Sequence, residues 1–160
     1  MNPPSTLARQ ILELFDSLGS ERLDLHAIFE LIGGHRPEQQ SAILEEVDRM
    51  VVQDWLLPAG GGDFFLRTEL GRLAIADRKQ VTLLTRKGCH LCEVARARVE
   101  PVLAELGAQL RLVDVDSDPV LHERYTEDVP VIFAGPVEVS RHRADLESLR
   151  RAILGPAGST

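Results

Sequence analysis

The chain of 160 residues has little from which to build a covalent framework: Cys89 and Cys92 are its only cysteines. No multi-bridge disulfide scaffold can form, so stability must come from packed apolar cores. Long apolar runs are equally scarce. The longest, residues 129–137, is about half the roughly 20 residues that a membrane-spanning helix needs, and Pro130 and Pro136 interrupt it. The opening residues, Met1-Asn2-Pro3-Pro4-Ser5-Thr6, offer no basic region followed by an apolar one, so no secretory signal is expected and the cytoplasm is the expected address. Aromatic residues make up only 4% of the chain, and neither an internal repeat nor a low-complexity segment is present. With 44% apolar and 27% charged residues, the composition excludes disordered and collagen-like classes and fits an ordinary globular protein.

Basic charge is short in one half only. Residues 1–78 hold seven Lys/Arg against thirteen Asp/Glu, whereas 79–160 hold eleven against twelve. This asymmetry, together with a change of periodicity across Arg78-Lys79-Gln80, predicts two domains, 1–78 and 79–160.

In the first half, Leu7, Ile11, Leu14, Phe15 and Leu18 recur at helical spacing behind Ser5 and Thr6, which can cap the first turn, and Gly19 can end the helix. Asp24 is the expected N-cap of a second helix carrying Leu25, Ile28, Phe29 and Ile32, closed by Gly33-Gly34. A third starts at Pro37, whose missing N–H costs nothing in a first turn, with Ile43, Val47, Met50 and Val51 on one side and an acidic exposed side. Trp55-Leu56-Leu57 and Phe64-Phe65-Leu66 then flank the loop Ala59-Gly60-Gly61-Gly62-Asp63 as antiparallel strands, and Thr68 caps a short helix from Glu69 to about Ala76. Three helices followed by a glycine-tipped hairpin resemble the winged-helix fold over residues 5–77. Phe65-Leu66-Arg67-Thr68-Glu69-Leu70-Gly71-Arg72 is similar to the segment where the wing strand of many bacterial winged-helix proteins returns to a helix.

DNA binding by such a module would need cations to neutralise phosphates. The third helix instead carries Glu38, Glu45, Glu46 and Asp48 against Arg49, with Arg36 just ahead of it. Arg67 and Arg72 could reach a phosphate backbone, but the loop tip has no basic residue. The charge argument favours protein docking or dimerisation over DNA for residues 1–78.

The second half alternates strand and helix. Residues 81–85 form a mostly apolar strand, and Leu91, Val94, Ala95, Val99, Val102, Leu103 and Leu106 mark a long amphipathic helix that ends at Gly107 and is expected to kink at Pro101. A strand at 110–115, a short helix at 118–125, a hairpin of 131–134 with 137–140 and a closing helix at 144–154 follow, before a tail at 155–160 that is expected to fray. Crossover connections of this kind give a parallel pair with an antiparallel edge, an α/β fold.

Gly88-Cys89-His90-Leu91-Cys92 falls where a strand ends and a helix begins. The unpaired N–H groups and dipole of a helix N-terminus favour an anion and lower a thiol pKa from about 8.5 toward roughly 3.5 to 7.5. Cys89 would be that thiolate. Cys92, one turn along and more buried, faces the same side and can attack a mixed disulfide on Cys89. Half of a zinc site and a pair of inert thiols remain as plainer readings. Structural zinc needs four ligands, however, and His26, His35, His90, His122 and His142 show no His-X3–5-His spacing, so no metal is expected.

Leu84-Thr85-Arg86-Lys87-Gly88-Cys89-His90-Leu91-Cys92 closely resembles the active-site segment of glutaredoxin-like members of the thioredoxin superfamily. Leu112-Val113-Asp114-Val115-Asp116 is similar to that family's second strand, and Asp128-Val129-Pro130-Val131-Ile132 to its Val-Pro segment, so the resemblance covers residues 80–154. It implies a thioredoxin/glutaredoxin-like fold, a mixed four-stranded sheet with helices on both faces. It also implies Cys89 as nucleophile, Cys92 as resolving thiol, and Val129 with a cis Pro130 as the wall of a substrate groove. Arg86 occupies the place of a basic residue that in glutaredoxins helps hold the glutathione carboxylate, although Arg86 and Lys87 read equally as solvated charges. His90 stands where many glutaredoxins have proline, and its charge, with that of Lys87, would modulate the thiolate. The Gly-Gly pair and acidic residue by which glutaredoxins receive glutathione are absent from Phe133-Ala134-Gly135-Pro136-Val137-Glu138-Val139, which leaves glutathione or another thiol as reductant.

The expected function is therefore thiol-disulfide exchange through a Cys-His-Leu-Cys pair, on a disulfide of a protein or a low-molecular-weight thiol, with no cofactor beyond the redox-active pair. An unknown reductase would recharge it, and residues 1–78 would serve a homodimer or a partner protein. The alternative is a redox-sensing regulator whose winged-helix module engages DNA or a protein, and a third reading is an interaction protein with a vestigial fold.

Overall fold

The structure is a computed structural model that describes residues 2–155. The chain folds as two units, one of residues 2–75 and one from residue 76 onward. The tail expected to fray lies, beyond Gly155, outside the described residues.

In the first unit, α1 (Thr6–Leu18) starts at Ser5, whose hydroxyl oxygen accepts the Ala8 N–H at 3.0 Å, and stops at Gly19 in left-handed backbone. It buries Ala8, Ile11, Leu12 and Phe15. A strand β1 (Arg22–Asp24) follows, and at three residues it is too short to carry a period-two signal. Asp24 caps α2 (Leu25–Ile32) by accepting the Ala27 N–H at 2.7 Å. Then come α3 (Pro37–Val52), β2 (Leu56–Ala59), a 3-10 turn at Gly60–Gly62, β3 (Phe64–Arg67) and α4 (Glu69–Ile75). The three strands form an antiparallel sheet in the order β1-β3-β2.

Two charged side chains that the sequence places on the surface are buried here. Glu46 is 7% exposed; it accepts the Ser5 hydroxyl at 2.9 Å and pairs with Arg49 at 3.4 Å. Arg67, also 7% exposed, donates to the Leu12 carbonyl at 3.3 Å, pairs with Asp16 at 2.7 Å and lies over the Phe15 ring. Arg72 pairs with Glu21. The Arg67 hydrogen bond holds the Asp16 carboxyl below the usual carboxylate range. Arg67 and Arg72, the basic residues after the hairpin loop, thus pair with acids of the same unit.

The second unit contains β4 (Gln80–Thr85), α5 (His90–Leu106), β5 (Gln109–Asp114), a 3-10 turn at Val115–Ser117, α6 (Pro119–Tyr125), β6 (Val131–Ala134), β7 (Val137–Arg141) and α7 (Leu146–Leu154). Its sheet runs β5-β4-β6-β7, with β4 parallel to β5 and the other pairs antiparallel. Side chains alternate across it. Val81, Leu83, Ile132 and Ala134 pack against Ala95, Val99 and Leu103 of α5 and Leu149 and Ile153 of α7. On the opposite face, Phe133 meets Tyr125 of α6 edge-on at 6.0 Å. This is a mixed four-stranded sheet with helices on both faces. Pro101 sits inside α5 on its exposed side, and the helix continues through it. Among the described residues no helix is long and apolar enough to cross a membrane.

Gly71 shows how tightly the first unit closes. It lies inside α4, and a Cβ there would run into the Trp55 backbone carbonyl. In an open helix, glycine to alanine gains about 1 kcal/mol; here overlap with fixed backbone reverses the sign. Gly71→Ala is expected to destabilise the first unit by about 1–3 kcal/mol. Denaturant unfolding followed by the fluorescence of Trp55, the single tryptophan and buried in that unit, checks this, and a gain in stability would contradict it.

Candidate functional site

β4 is paired on both sides, and four of its successive residues, Val81 to Leu84, are buried. Its carboxyl end is therefore a fixed point. From there Arg86-Lys87-Gly88 turns the chain, Gly88 in left-handed backbone and Cys89 donating its N–H to the Arg86 carbonyl at 3.2 Å. Cys89 is the N-cap of α5: it has extended backbone, and its Sγ accepts the Cys92 N–H at 3.1 Å. A sulfur thus takes the place that a serine or aspartate oxygen takes at ordinary caps. The two cysteines form a disulfide with Cα atoms 5.3 Å apart. Cys89 is half-buried, whereas Cys92 is 2% exposed and continues the buried stripe of Ala95 and Val99. One sulfur can be approached from solvent, and the other is covered by its own helix and sheet.

The basic residues named from the sequence separate into two kinds. Lys87 and His90 are exposed beside Cys89, at the loop and at the first residue of α5. Arg86 is engaged: Nε and Nη2 each donate to Asp116 at 3.0 Å, Nη1 donates to the Thr126 carbonyl at 3.0 Å, and Nη2 also meets the Thr126 hydroxyl. Asp116 accepts from His122 as well, at 2.9 Å. The hydrogen bond from Arg86, then that from His122, holds the Asp116 carboxyl below the usual range. An open cleft of about 400 Å³ runs beside the pair, lined by Lys87, Cys89, Cys92, Arg96, Leu112 and Asp114 among others.

The Val129–Pro130 peptide is cis. Leu84 pairs with Val131, which sets Val129 and Pro130 at the carboxyl end of β4, the end that leads to Cys89. Val129 is half-buried and Pro130 buried. Arg141 closes the other side of this segment, with two bonds to Glu138 at 2.9 Å and one to Asp128 at 2.8 Å, while the His142 N–H donates to the Asp128 carbonyl at 3.1 Å. The sequence alone assigned no part to Asp116, Thr126, Asp128 or Arg141. Asp116 and Asp128 stood in the quoted segments, but nothing in a single sequence links Arg86 to residues 30 and 40 positions away. Among the described residues no three His, Cys, Asp or Glu side chains converge as a metal site requires.

Residues 80–154 match the family profile described as "Glutaredoxin-like domain (DUF836)". An uncharacterized protein of Mycobacterium bovis and one of Mycobacterium tuberculosis are each 32% identical to this chain over 81 residues, 48% of this chain and 84% of the relative. Solved structures similar to it include thioredoxin 1 of Thermosipho africanus, at TM-score 0.36 and 12% identity over 47% of this chain and 94% of that one. The holo form of glutaredoxin C1 from Populus tremula x tremuloides has TM-score 0.35 and 21% identity over 54% of this chain and 79% of that one. With its paired cysteines at a strand-to-helix junction and this match along 80–154, the chain is a thiol-redox protein and belongs to the glutaredoxin-like domain family.

Proposed function

We propose that the protein is a dithiol oxidoreductase that reduces disulfides of a polypeptide or a low-molecular-weight thiol. One observation carries this reading: the half-buried Cys89 Sγ sits at the α5 N-cap, receives a backbone N–H, and is bonded to a sulfur that is itself covered. In the reduced protein the Cys89 thiolate attacks one sulfur of the substrate disulfide. That S–S bond breaks, and one substrate thiolate leaves and takes a proton from solvent. Cys92 then gives up its proton, attacks Cys89 Sγ and releases the second substrate thiol, so that two electrons pass from the protein dithiol to the substrate. An external thiol, glutathione or another, restores the dithiol through a mixed disulfide of its own. Val129 and Pro130 supply the wall against which the substrate chain lies, and the charge of Lys87, with that of His90 when it is protonated, favours the thiolate. The cytoplasm, where thiols are kept reduced, suits this direction of electron flow. Residues 1–78 serve a protein partner or a second copy rather than DNA. The ion pairs of Arg67 with Asp16 and of Arg72 with Glu21 leave these cations partly neutralised and support the reading without DNA.

Turnover tests this reading. With dithiothreitol as reductant, the protein should catalyse reduction of a peptide disulfide, Cys89→Ser should abolish catalysis, and Cys92→Ser should stall as a mixed disulfide that mass spectrometry detects. Turnover retained in the Cys89 variant would overturn the assignment of the attacking sulfur.

The two sulfurs should also differ before any substrate arrives. In the reduced protein at neutral pH, iodoacetamide should label Cys89 faster than Cys92 by about tenfold or more, because a helix N-terminus favours the thiolate while burial penalises it. Peptide mapping reads the ratio, and equal rates would show that the N-cap does not activate Cys89.

The acidic first unit generates an expectation of its own. A mobility-shift assay with generic duplex DNA at physiological salt should show negligible binding by the full chain in both the dithiol and disulfide states. Tight binding that weakens steeply with salt would instead support the regulator.

A further inference from the structure

The resemblance to glutaredoxins puts Arg86 where a basic side chain holds a substrate carboxylate, and Arg86 does line the cleft beside Cys89 with a third of its side chain exposed, yet its guanidinium is already engaged by groups of the protein itself. Both edges of its fork are in use. Nε and Nη2 grip the two oxygens of Asp116 in the turn after β5, while Nη1 and Nη2 hold the carbonyl and hydroxyl of Thr126, the C-cap residue of α6. Arg86 lies three residues before Cys89, and Thr126 four residues before Pro130. The Arg86 carbonyl, meanwhile, accepts the N–H of Cys89 itself. One side chain thus joins the loop that carries the redox sulfur to the segment that leads to the cis peptide. The loop of Cys89 has no strand partner of its own among the described residues, and the segment before the cis peptide is held besides through Asp128, by the His142 N–H and the Arg141 guanidinium.

We infer that Arg86 is a positioning residue: clamped by Asp116 and Thr126, it fixes Cys89 Sγ at the N-cap of α5, at the end of β4 where the Val129–Pro130 segment also lies, and it does not bind the substrate's carboxylate. The inference rests on the proposed exchange reaction for its effect on turnover, and on geometry alone for its effect on the sulfur. A bidentate guanidinium–carboxylate pair has a fixed geometry that a lysine ammonium lacks. Small losses of alignment between attacking and leaving atoms are costly in rate. Loss of the clamp should therefore act on the reactivity of Cys89 whatever the charge of the substrate.

Three roles of Arg86 predict different patterns. Under positioning, Arg86→Gln and Asp116→Asn remove the same clamp, so each should slow single-turnover oxidation of the reduced protein by about tenfold to a hundredfold. The losses should be alike for a neutral disulfide, bis(2-hydroxyethyl) disulfide, and for the dianionic disulfide of 3-mercaptopropionate. The double variant should be little worse than either single one, as expected for residues acting as a unit. Arg86→Lys should recover little. Were Arg86 a carboxylate binder, Arg86→Gln would slow only the dianion, and Asp116→Asn, which frees the guanidinium, would speed it. Were it merely a positive charge near the thiolate, Arg86→Lys would restore the wild-type rate.

The pH profile of Cys89 alkylation by iodoacetamide reads the clamp without any turnover. Positioning predicts that Asp116→Asn moves the profile to higher pH, because the sulfur loses its place at the cap. Pure electrostatics predicts movement to lower pH, because a carboxylate has been removed. Arg150→Gln breaks an exposed pair with Glu105 at the far end of α5 and should leave the profile in place, which separates positioning from general loosening of the fold. Wild-type protein that alkylates at Cys89 but never reacts with either disulfide would overturn the proposed function. An Asp116→Asn profile that is unmoved or shifted to lower pH would overturn the role assigned to Arg86.

Discussion

The hydrogen bonds that hold β4 between β5 and β6 fix the point where its carboxyl end stops, and with it the place where α5 can begin. Val81, Leu83, Ile132 and Ala134 lock that strand pair against α5 and α7, so neither the strand nor the helix can slide without opening the core. Only three residues separate Thr85 from Cys89. The first N–H groups of a helix have no partner within it, and in α5 the Cys92 N–H points at a sulfur. The placing of the cysteine pair at this junction is therefore a consequence of sheet packing: the same burial that makes β4 rigid puts one cysteine at the opening of a helix and the other within its covered face.

Around that junction the polar groups of three connecting segments must be satisfied without the regularity of a sheet. Two arginines do most of this. Arg86 takes Asp116 and Thr126, and Arg141 takes Asp128 and Glu138 while lying over the Tyr125 ring. Each guanidinium serves one side of the segment that contains the cis Val129–Pro130 peptide. Because the Asp116 carboxyl is held below its usual range, its tie to Arg86 contributes above the pKa of the unfolded carboxylate. That contribution is lost as pH falls through the lower, folded value. Acid would thus loosen the loop of Cys89 through Asp116, a group that is itself exposed and so depends on geometry more than on burial.

The parts of this structure legible in the sequence are those encoded by near neighbours. Ser5 and Asp24 cap their helices through side-chain bonds to N–H groups three residues on, Gly107 ends α5 in left-handed backbone, and the apolar run of β4 leads directly to the cysteine pair. The features that escaped depend on distant partners. Glu46 is buried because Ser5, 41 residues earlier, supplies a hydroxyl, and Arg67 because Leu12, 55 residues earlier, supplies a carbonyl. Both read as surface charges until the chain is folded. The hydrogen bonds of Arg86 to Asp116 and Thr126 escaped for the same reason, their partners lying 30 and 40 positions away. β1 was missed because three residues carry no period.

The same internal pairing governs the electrostatics of the first unit. Arg9, Arg49, Arg67 and Arg72 each pair with carboxylates of that unit, and Arg22 lies over the Phe64 ring. The carboxylates of α3 that remain exposed include Glu38, Glu45 and Asp48. Screening limits such fields to about 8 Å at physiological ionic strength. What a ligand meets at the exposed side of α3 is thus set by these acids and not by arginines tied down elsewhere. A phosphate approaching α3 meets Arg36 and Arg49 against the exposed Glu38, Glu45 and Asp48, an acidic excess that opposes the counterion release on which association with nucleic acid depends. Helix order and a glycine-tipped hairpin alone do not make a nucleic-acid surface; free cations are needed as well, and in this unit Arg67 is drawn into the core by Asp16 and Leu12 while Arg72 pairs with Glu21.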